Sequence, residues 1–586
     1  KYFRIIIISV FSVVLIITFQ RQVANQDLAL LATSNNSTSV SQTQASRGSI
    51  LSQDGSVFAD SIKQTGLYIR NGLAKEELDN YLELISSKLG IEYSSLTESV
   101  SKNNDNQILL NDNLSNEQVT TFYKEFNDQL DVSLQDIYIR NYNGDYGLAQ
   151  SIGYVGVDGE KLSKNKVGKS GIELSYEKEL AGIPGVLRFT IDSLGKRVKQ
   201  TLQQSQVTGL NLRLTINSKL QSKAYSIVKE YADRARENGG SGKGVMIVSN
   251  AKTGELLSLV NYPSFDSNSF SKENNSEITR LLNDPNKPLF NRATMGLYPP
   301  GSTMKPFYGL LGLDEKVIDA NTTFVDNGKV EIVNQYDSSI KETFYGHTIS
   351  GLGPMNLRTA IIKSSDIYFY YLAGGNPTFA GLGGTRITNF LKKLKLDQLV
   401  NIGIEENESS IPEIDEYWTQ GDSYNIGIGQ GDLNLTPISL LRILLGITNN
   451  GFIPNLKLVS DVETNDGKVI QKTETKYDGL MNSPNLPQIQ QAMREVVTSG
   501  MTRLNFDEII GTSSAGKTGT AETVTSRIPT QDSSLSKPNS WYTGYAPFED
   551  PEIAVVTLFE SSGEGSAIAA PATRDFMQYY FNEFKQ

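Results

Sequence analysis

Three stretches of this chain place hydroxyls, amines and a carboxylate at spacings that could perform acyl transfer. In NRATMGLYPPGSTMKPFYGLL, Pro299, Pro300 and Gly301 make a turn, and a helix is expected to begin near Ser302, because Pro306 is tolerated only close to a helix start. Ser302 and Lys305 then stand one turn apart on one face. A serine hydroxyl is a poor nucleophile until a base takes its proton, and Lys305 is the base this spacing offers. An amine that ordinarily titrates near about 10.4 serves as a base only where its surroundings penalise the charged form by about 4 kcal/mol. In TAIIKSSDIYFYYLAGG, Ser364, Ser365 and Asp366 precede a helical run, a pattern that is also a helix cap.

The third stretch, GTSSAGKTGTAE (511–522), reads two ways. Gly511, Gly516, Lys517 and Thr518 satisfy the phosphate-loop pattern G-x-x-x-x-G-K-[ST]. A phosphate loop, however, opens a helix at its Lys-Thr. Here TGTAETVTSRIPTQD follows, β-branched, interrupted by Gly519 and reaching Pro529. No 3.6-residue apolar period appears, so a strand is predicted and the nucleotide reading falls. Lys517-Thr518-Gly519 is instead the third element that a Ser-x-x-Lys enzyme demands, in the required order after Ser302 and Ser364.

The elements that must carry these residues are legible at low resolution. RGSILSQDGSVFADS reads as strand, Asp-Gly turn, strand. AKEELDNYLELISSKLG spaces Leu78, Tyr81, Leu82, Ile85 and Leu89 at three and four and stops at Gly90, and residues 74 to 130 look largely helical. Residues 210–238 read as a strand running into a long amphipathic helix. GVMIVSNAKTGELLSLVNYP is a hairpin about NAKTGE, and WYTGYAP and EIAVVTLFES form another about FEDP. The segment from 290 to 450 reads as mostly helical with glycine-rich breaks, and a closing helix covers AAPATRDFMQYYFNEF. Strands at both ends with helices between predict an α+β fold with a central antiparallel sheet flanked by helices.

The chain opens KYFRIIIISVFSVVLIITFQ, uncharged from Ile5 to Phe19, and residues 1–20 are expected to be an uncleaved transmembrane anchor. Lys1 and Arg4 ahead of it place the remainder outside the cytoplasm, on a single-pass protein of the cell membrane. Residues 21–46 are rich in Asn, Ser, Thr and Gln and read as a linker. We divide the rest into a mixed α/β module over 47–205 and a catalytic domain over 206–586. A net charge of −11 over 586 residues argues against nucleic acid as a partner. With no cysteine and one histidine, His347, no metal or other cofactor is expected. His347 reads as a loop histidine or one that backs the site residues without touching substrate, since Lys305 already supplies the base. Gly427, Gly429 and Gly431 read as a tight loop near the site rather than a dinucleotide fingerprint.

These residues together resemble the class B penicillin-binding proteins, and within them the penicillin-binding protein 2 type of the cell-elongation machinery. RGSILSQDGSVFADS, YIRNYNGDYGLAQSIGYVG and GKSGIELSYEKELAGIPG are similar to motifs of the family's pedestal, the dimerisation-type domain. LRLTINSKLQ, YPPGSTMKP, SYNIGIGQGDLNLTP and WYTGYAP are similar to its transpeptidase domain. Asp366 stands where many relatives carry asparagine, and the elongation type often has Asp. A carboxylate accepts hydrogen bonds but cannot donate an amide N–H. Gln150-Ser151 occupies the place of a histidine common before GYVG. The resemblance implies D,D-transpeptidation on D-Ala-D-Ala stem peptides of peptidoglycan, with β-lactams as inhibitors and a SEDS-type glycosyltransferase as partner. It implies Ser302 as nucleophile, Lys305 as base and Ser364 as proton relay. Asp366 and Lys517 fall within this catalytic set, the Lys517 cation helping to lower Lys305 and Asp366 opposing that drop if close and charged. Lys517, Thr518, Gly519 and Thr520 would hold the substrate, and the N–H groups of Ser302 and Thr520 would form the oxyanion hole. Two alternatives stay open: a D,D-carboxypeptidase or β-lactamase-like hydrolase, and a silent β-lactam-binding sensor or scaffold.

Overall fold

The computed structural model describes residues 38–585 apart from 102–106, 145, 158–165, 192–196, 334–338, 340, 501–504 and 523–536. The expected anchor, 1–20, and the linker as far as residue 37 lie outside the described residues. Among the described residues no helix is long and apolar enough to cross a membrane.

The chain divides into two compact units, and the division interleaves. The larger takes Arg47–Ile62, Ile139–Ala181 and Gly209–Gln586, and the smaller takes the stretches between and before them. The contiguous cut at 205 therefore assigns two segments differently. The reason is packing. Ile50, Phe58, Tyr142, Leu148, Ile172 and Leu180 are buried in the same core cluster as Leu212, Leu214 and Ile216. Apolar side chains follow the core that removes them from water, whatever their place in the sequence.

In the smaller unit, helix Lys75–Leu89 buries Leu82, Ile85 and Leu89 and ends at Gly90, whose φ of 65° is left-handed, as the periodicity predicts. It shares a core with Ile108, Leu110, Phe122 and Phe126. Thr38–Thr43, read above as linker, is a strand. It pairs antiparallel with Gly185–Ile191, whose other edge holds Arg197–Gln204. Its polar side chains gave no apolar alternation to detect, and its backbone supplies the pairing.

The larger unit is built on a five-stranded antiparallel sheet in the order Leu256–Tyr262, Lys243–Asn250, Ile553–Glu560, Asn539–Ala546, Ala515–Ala521. Both predicted hairpins are present within it. Its strands are buried on both faces and alternate strictly. Ala554, Val556 and Leu558 face one apolar cluster; Ile553, Val555 and Phe559 face the other. Helices Ser218–Glu237 and Ala569–Tyr579 cover the second face. Helices Lys305–Asp314 and Pro437–Thr448 lie in the first cluster. The stretch read as mostly helical also carries two small antiparallel pairs, Thr323–Asp326 with Gly353–Asn356 and Lys329–Val333 with Lys341–Tyr345.

Arg47 of the opening RGS stretch has a definite partner. Its Nε lies 2.5 Å from Glu173 Oε2, and Arg140 Nε lies 2.6 Å from Glu173 Oε1. Arg47 also reaches Glu177 at 2.7 Å, and Glu173 is fully buried. Burial pushes the Glu173 carboxyl up, but the Arg140 and Arg47 charges outweigh it and hold the group below the ordinary value.

Candidate active site

The turn at Pro299–Gly301 leads into a short 3-10 segment, Gly301–Met304, and then into helix Lys305–Asp314 with Pro306 in its first turn. The Lys305 N–H donates to the Ser302 carbonyl, so Ser302 and Lys305 share one turn as expected. Ser302 is half-buried and Lys305 fully buried. The segment is pinned from two sides. Gly301 N–H donates to Gly429 O at 2.8 Å. A Cβ on Gly429 would stand 2.2 Å from Gly301 O, so only glycine fits there. Gly429 and Gly431 thus lie in a tight turn against this segment, while Gly427 ends helix Gln420–Gly427. Trp541 Nε1 donates to Pro299 O at 3.1 Å from the central sheet.

Ser364 ends helix Leu357–Lys363 in the left-handed conformation, φ 57°. Asp366 begins helix Asp366–Gly374, which Ser365 caps by accepting from Tyr368 N–H. The cap reading of KSSD is thus correct for Ser365, while its two neighbours face the polar cluster. Ser365 also donates to Asp326 Oδ2 at 2.6 Å.

Lys517 lies on strand Ala515–Ala521, at the edge of the sheet, so no helix begins at Lys517-Thr518 and the phosphate-loop reading is excluded. Its Nζ donates to Ser364 Oγ at 3.0 Å and to Thr518 O at 2.9 Å. Lys305 Nζ donates to Asp366 Oδ1 at 2.6 Å, to Ser364 O at 2.8 Å and to Ser364 Oγ at 3.3 Å. One serine hydroxyl therefore stands between two lysine side-chain nitrogens supplied by residues 212 positions apart in sequence.

Both lysines are displaced downward. Burial lowers Lys305 against the pull of Asp366, so the opposition foreseen from the sequence is real and burial prevails. Lys517 falls well below the ordinary value through burial first and the Lys305 charge second. Among the described residues no carboxylate pairs with Lys517.

The remaining predicted residues flank this cluster. Gly519 is held closely: an added Cβ would meet Thr303 at 2.8 Å and Pro300 O at 3.0 Å. The same construction at Gly301 reaches Thr520 O at 2.9 Å, which puts the turn before Ser302 against the Thr520 backbone. Thr520 Oγ1 accepts from Gly565 N–H at 3.2 Å, and Thr518 is half-buried.

Two participants escape sequence reasoning. Asp366 Oδ2 accepts the backbone N–H of His347 at 2.8 Å, so the lone histidine joins the site through its main chain. A main-chain contact leaves no signature in residue type. Gly565 is the other, distant in sequence and recognisable only once the sheet is assembled. The carboxylate of Asp366 thus serves two donors at once, which a single amide oxygen cannot do so well. Among the described residues no group of His, Asp and Glu is arranged to hold a metal ion.

Residues 244–578 match the penicillin binding protein transpeptidase domain, and residues 42–214 match the penicillin-binding protein dimerisation domain. The chain is 29% identical over 605 residues to the peptidoglycan D,D-transpeptidase MrdA of Haemophilus influenzae, spanning 96% of this chain and 88% of that protein. With MrdA of Escherichia coli K12 it shares 28% over 427 residues, 69% of this chain and 63% of the other. In structure it is similar to a chain of a peptidoglycan synthase complex studied for its coordination of polymerization and crosslinking. That likeness has a TM-score of 0.72 at 25% identity and covers 99% and 98% of the two chains. It is similar in fold to a chain of the complex between PBP2 and MreC from Helicobacter pylori, with a TM-score of 0.73 at 23% identity over 94% and 100%.

Proposed function

Since the chain belongs to the penicillin-binding protein transpeptidases, class B and of the elongation type, and is a peptidoglycan D,D-transpeptidase of cell-wall elongation, we propose that its reaction runs through an acyl-enzyme on Ser302. Ser302 Oγ attacks the carbonyl of a D-Ala-D-Ala stem peptide and forms an ester as the peptide bond to the last D-alanine breaks. The amine of a neighbouring stem peptide then attacks the ester, freeing Ser302 and closing the cross-link. The observation that carries this reading is the shared hydroxyl: Ser364 Oγ is 3.3 Å from Lys305 Nζ and 3.0 Å from Lys517 Nζ.

That geometry suggests the order of proton movement. All three Lys305 contacts are to acceptors, the arrangement of an ammonium. To become a base, Lys305 must lose a proton. Ser364 can take it while passing its own to Lys517, the amine with no carboxylate to hold its charge among the described residues. A substrate carboxylate arriving beside Lys517 and Thr518 favours that transfer, since it pairs with the new ammonium. Lys305 is then free to accept the Ser302 proton and later to return one to the leaving amine. The edge position of Ala515–Ala521 supports strand addition as the mode of peptide binding. N–H groups of Ser302 and Thr520 as oxyanion donors would each contribute roughly 3 kcal/mol.

Digestion after exposure to benzylpenicillin tests the assignment: the peptide holding residues 299–305 should gain the mass of one drug molecule, and label on any other peptide would refute it. The acylation rate should also rise with pH and level off below the ordinary lysine value of about 10.4, because both lysines are displaced downward and the reactive form needs a free amine. A profile flat from about pH 6 to pH 10 would contradict the base assignment. Asp366→Asn removes the charge that raises Lys305, so the same rise should move to lower pH. Its plateau should fall about tenfold, as the His347 segment loses a hydrogen bond to a charged group. A midpoint that moves upward would show that Asp366 does not act on Lys305.

Residues 1–20 as a membrane anchor, and a SEDS-type glycosyltransferase as the partner that supplies glycan strands, complete the proposal. The protein similar to this chain in a peptidoglycan synthase complex supports the partnership.

A further inference from the structure

Helix Pro437–Thr448 is buried at every one of its 12 residues except Arg442. Its sequence, PISLLRILLGIT, is otherwise apolar or small, so a guanidinium in its middle is out of keeping with the core it occupies. Arg442 lines a cavity of about 320 Å³ together with Lys395, Lys476, Asp478, Gln398 and Asn401, none of them a residue of the site described above.

The charges around this cavity do not balance. Lys395 is paired with Asp478 at 2.5 Å. Arg442 uses Nη1 alone, donating to Leu394 O at 2.7 Å and Lys395 O at 3.4 Å, where helix Gly383–Lys393 ends. Among the described residues nothing accepts from its Nε or Nη2, and no carboxylate pairs with Lys476. Burial pushes the Arg442 guanidinium below its ordinary value, with Asp478 opposing. Capping the end of a neighbouring helix accounts for one nitrogen. It does not account for the cavity, the second cation or the free side of the guanidinium fork. Two positive charges without a carboxylate partner on one recess of a chain with net charge −11 run against its overall balance.

We propose that this cavity binds a doubly charged oxyanion, phosphate or a phosphate monoester, between the free edge of Arg442 and the Lys476 ammonium. The planar guanidinium offers paired N–H donors that match phosphate oxygens, and Lys476 adds a mobile point charge. Gln398 and Asn401 provide neutral amides toward the rest of the volume, which exceeds what one phosphate fills and leaves room for the alcohol of an ester.

Isothermal titration of the full chain at low ionic strength tests this, with inorganic phosphate and glycerol 1-phosphate as separate probes. Saturable one-to-one binding is expected, weakened about tenfold or more by Lys476→Gln and by Arg442→Gln. Equal affinity for the two probes identifies the free ion as ligand, and tighter binding of the ester identifies an alcohol-borne phosphate. Lys476 is exposed, so its variant reports on binding without disturbing the core; unchanged penicillin acylation confirms the fold of both variants. Absence of saturable binding by both probes overturns the proposal, as does binding that neither substitution weakens. Neither result would bear on the acyl-enzyme at Ser302.

Discussion

A Ser302→Ala variant is expected to take up no penicillin and to form no cross-links, while folding as the parent does. The hydroxyl is the only atom lost. Ser302 is half-buried in a short helical turn, where alanine is the better former, so stability should move by less than about 1 kcal/mol. The surrounding polar cluster survives the change: Lys305 keeps its contacts with Ser364 and Asp366, and Lys517 keeps Ser364. What vanishes is the atom that forms the ester, and no neighbouring hydroxyl occupies its place in the turn. Loss of a serine nucleophile elsewhere lowers turnover on the order of a million-fold, so labelled penicillin and a donor peptide with an amine acceptor should both read as blank. Labelling that persists in the variant would move the nucleophile elsewhere and undo the proton path through Ser364. Because the turn itself is pinned by Gly429 and Trp541, a melting curve that drops sharply would mean the serine supports that turn rather than the chemistry.

The second large effect is expected far from the chemistry in sequence, at Glu173. This carboxylate is fully buried and answers two guanidinium groups, those of Arg47 and Arg140. Glu173→Gln keeps its shape and removes its charge. Arg47 retains Glu177, but Arg140 is left buried without a charged partner in this cluster. Breaking such a buried arrangement costs roughly 3–5 kcal/mol, a large part of the 5–15 kcal/mol that typically separates folded from unfolded states. Thermal unfolding should fall by several degrees, and expression at physiological temperature should suffer. Acylation measured on the protein that does fold should stay close to the parent's. The pH sense follows from the depressed carboxyl: its stabilisation is present above the unfolded value of about 4.3 and disappears as pH drops through the folded value. An unaltered melting temperature in Glu173→Gln would show that the cluster contributes nothing net.

The proposed catalytic residues were legible because their geometry is local. Ser302 and Lys305 are fixed by one turn, and the β-branched run after Lys517 announced a strand. The order of motifs then implied a shared pocket, and in the fold Ser364 hydrogen-bonds to both lysines. What remained hidden depends on distant backbone. The second partner of Asp366 is an amide 19 residues upstream. Thr38–Thr43 pairs through peptide groups that its polar letters do not reveal. The hairpins within 323–356 are short and partly exposed, so the helical segments around them dominated the reading. The interleaved units were out of reach for the same reason, since the pairing of Ile50–Leu51 beside Asn211–Leu214 joins residues about 160 apart.

That interleaving bears on how such a chain can evolve. A recombination event that transferred only the contiguous coding segment from residue 209 onward would leave behind Arg47, Arg140 and Glu173, along with the apolar side chains from 50 to 62 and 142 to 180 that fill the same interior. The recipient would inherit every reactive group and an incomplete foundation. Inheritance of the catalytic half as a self-sufficient cassette is thereby disfavoured, and the two halves are bound to change together.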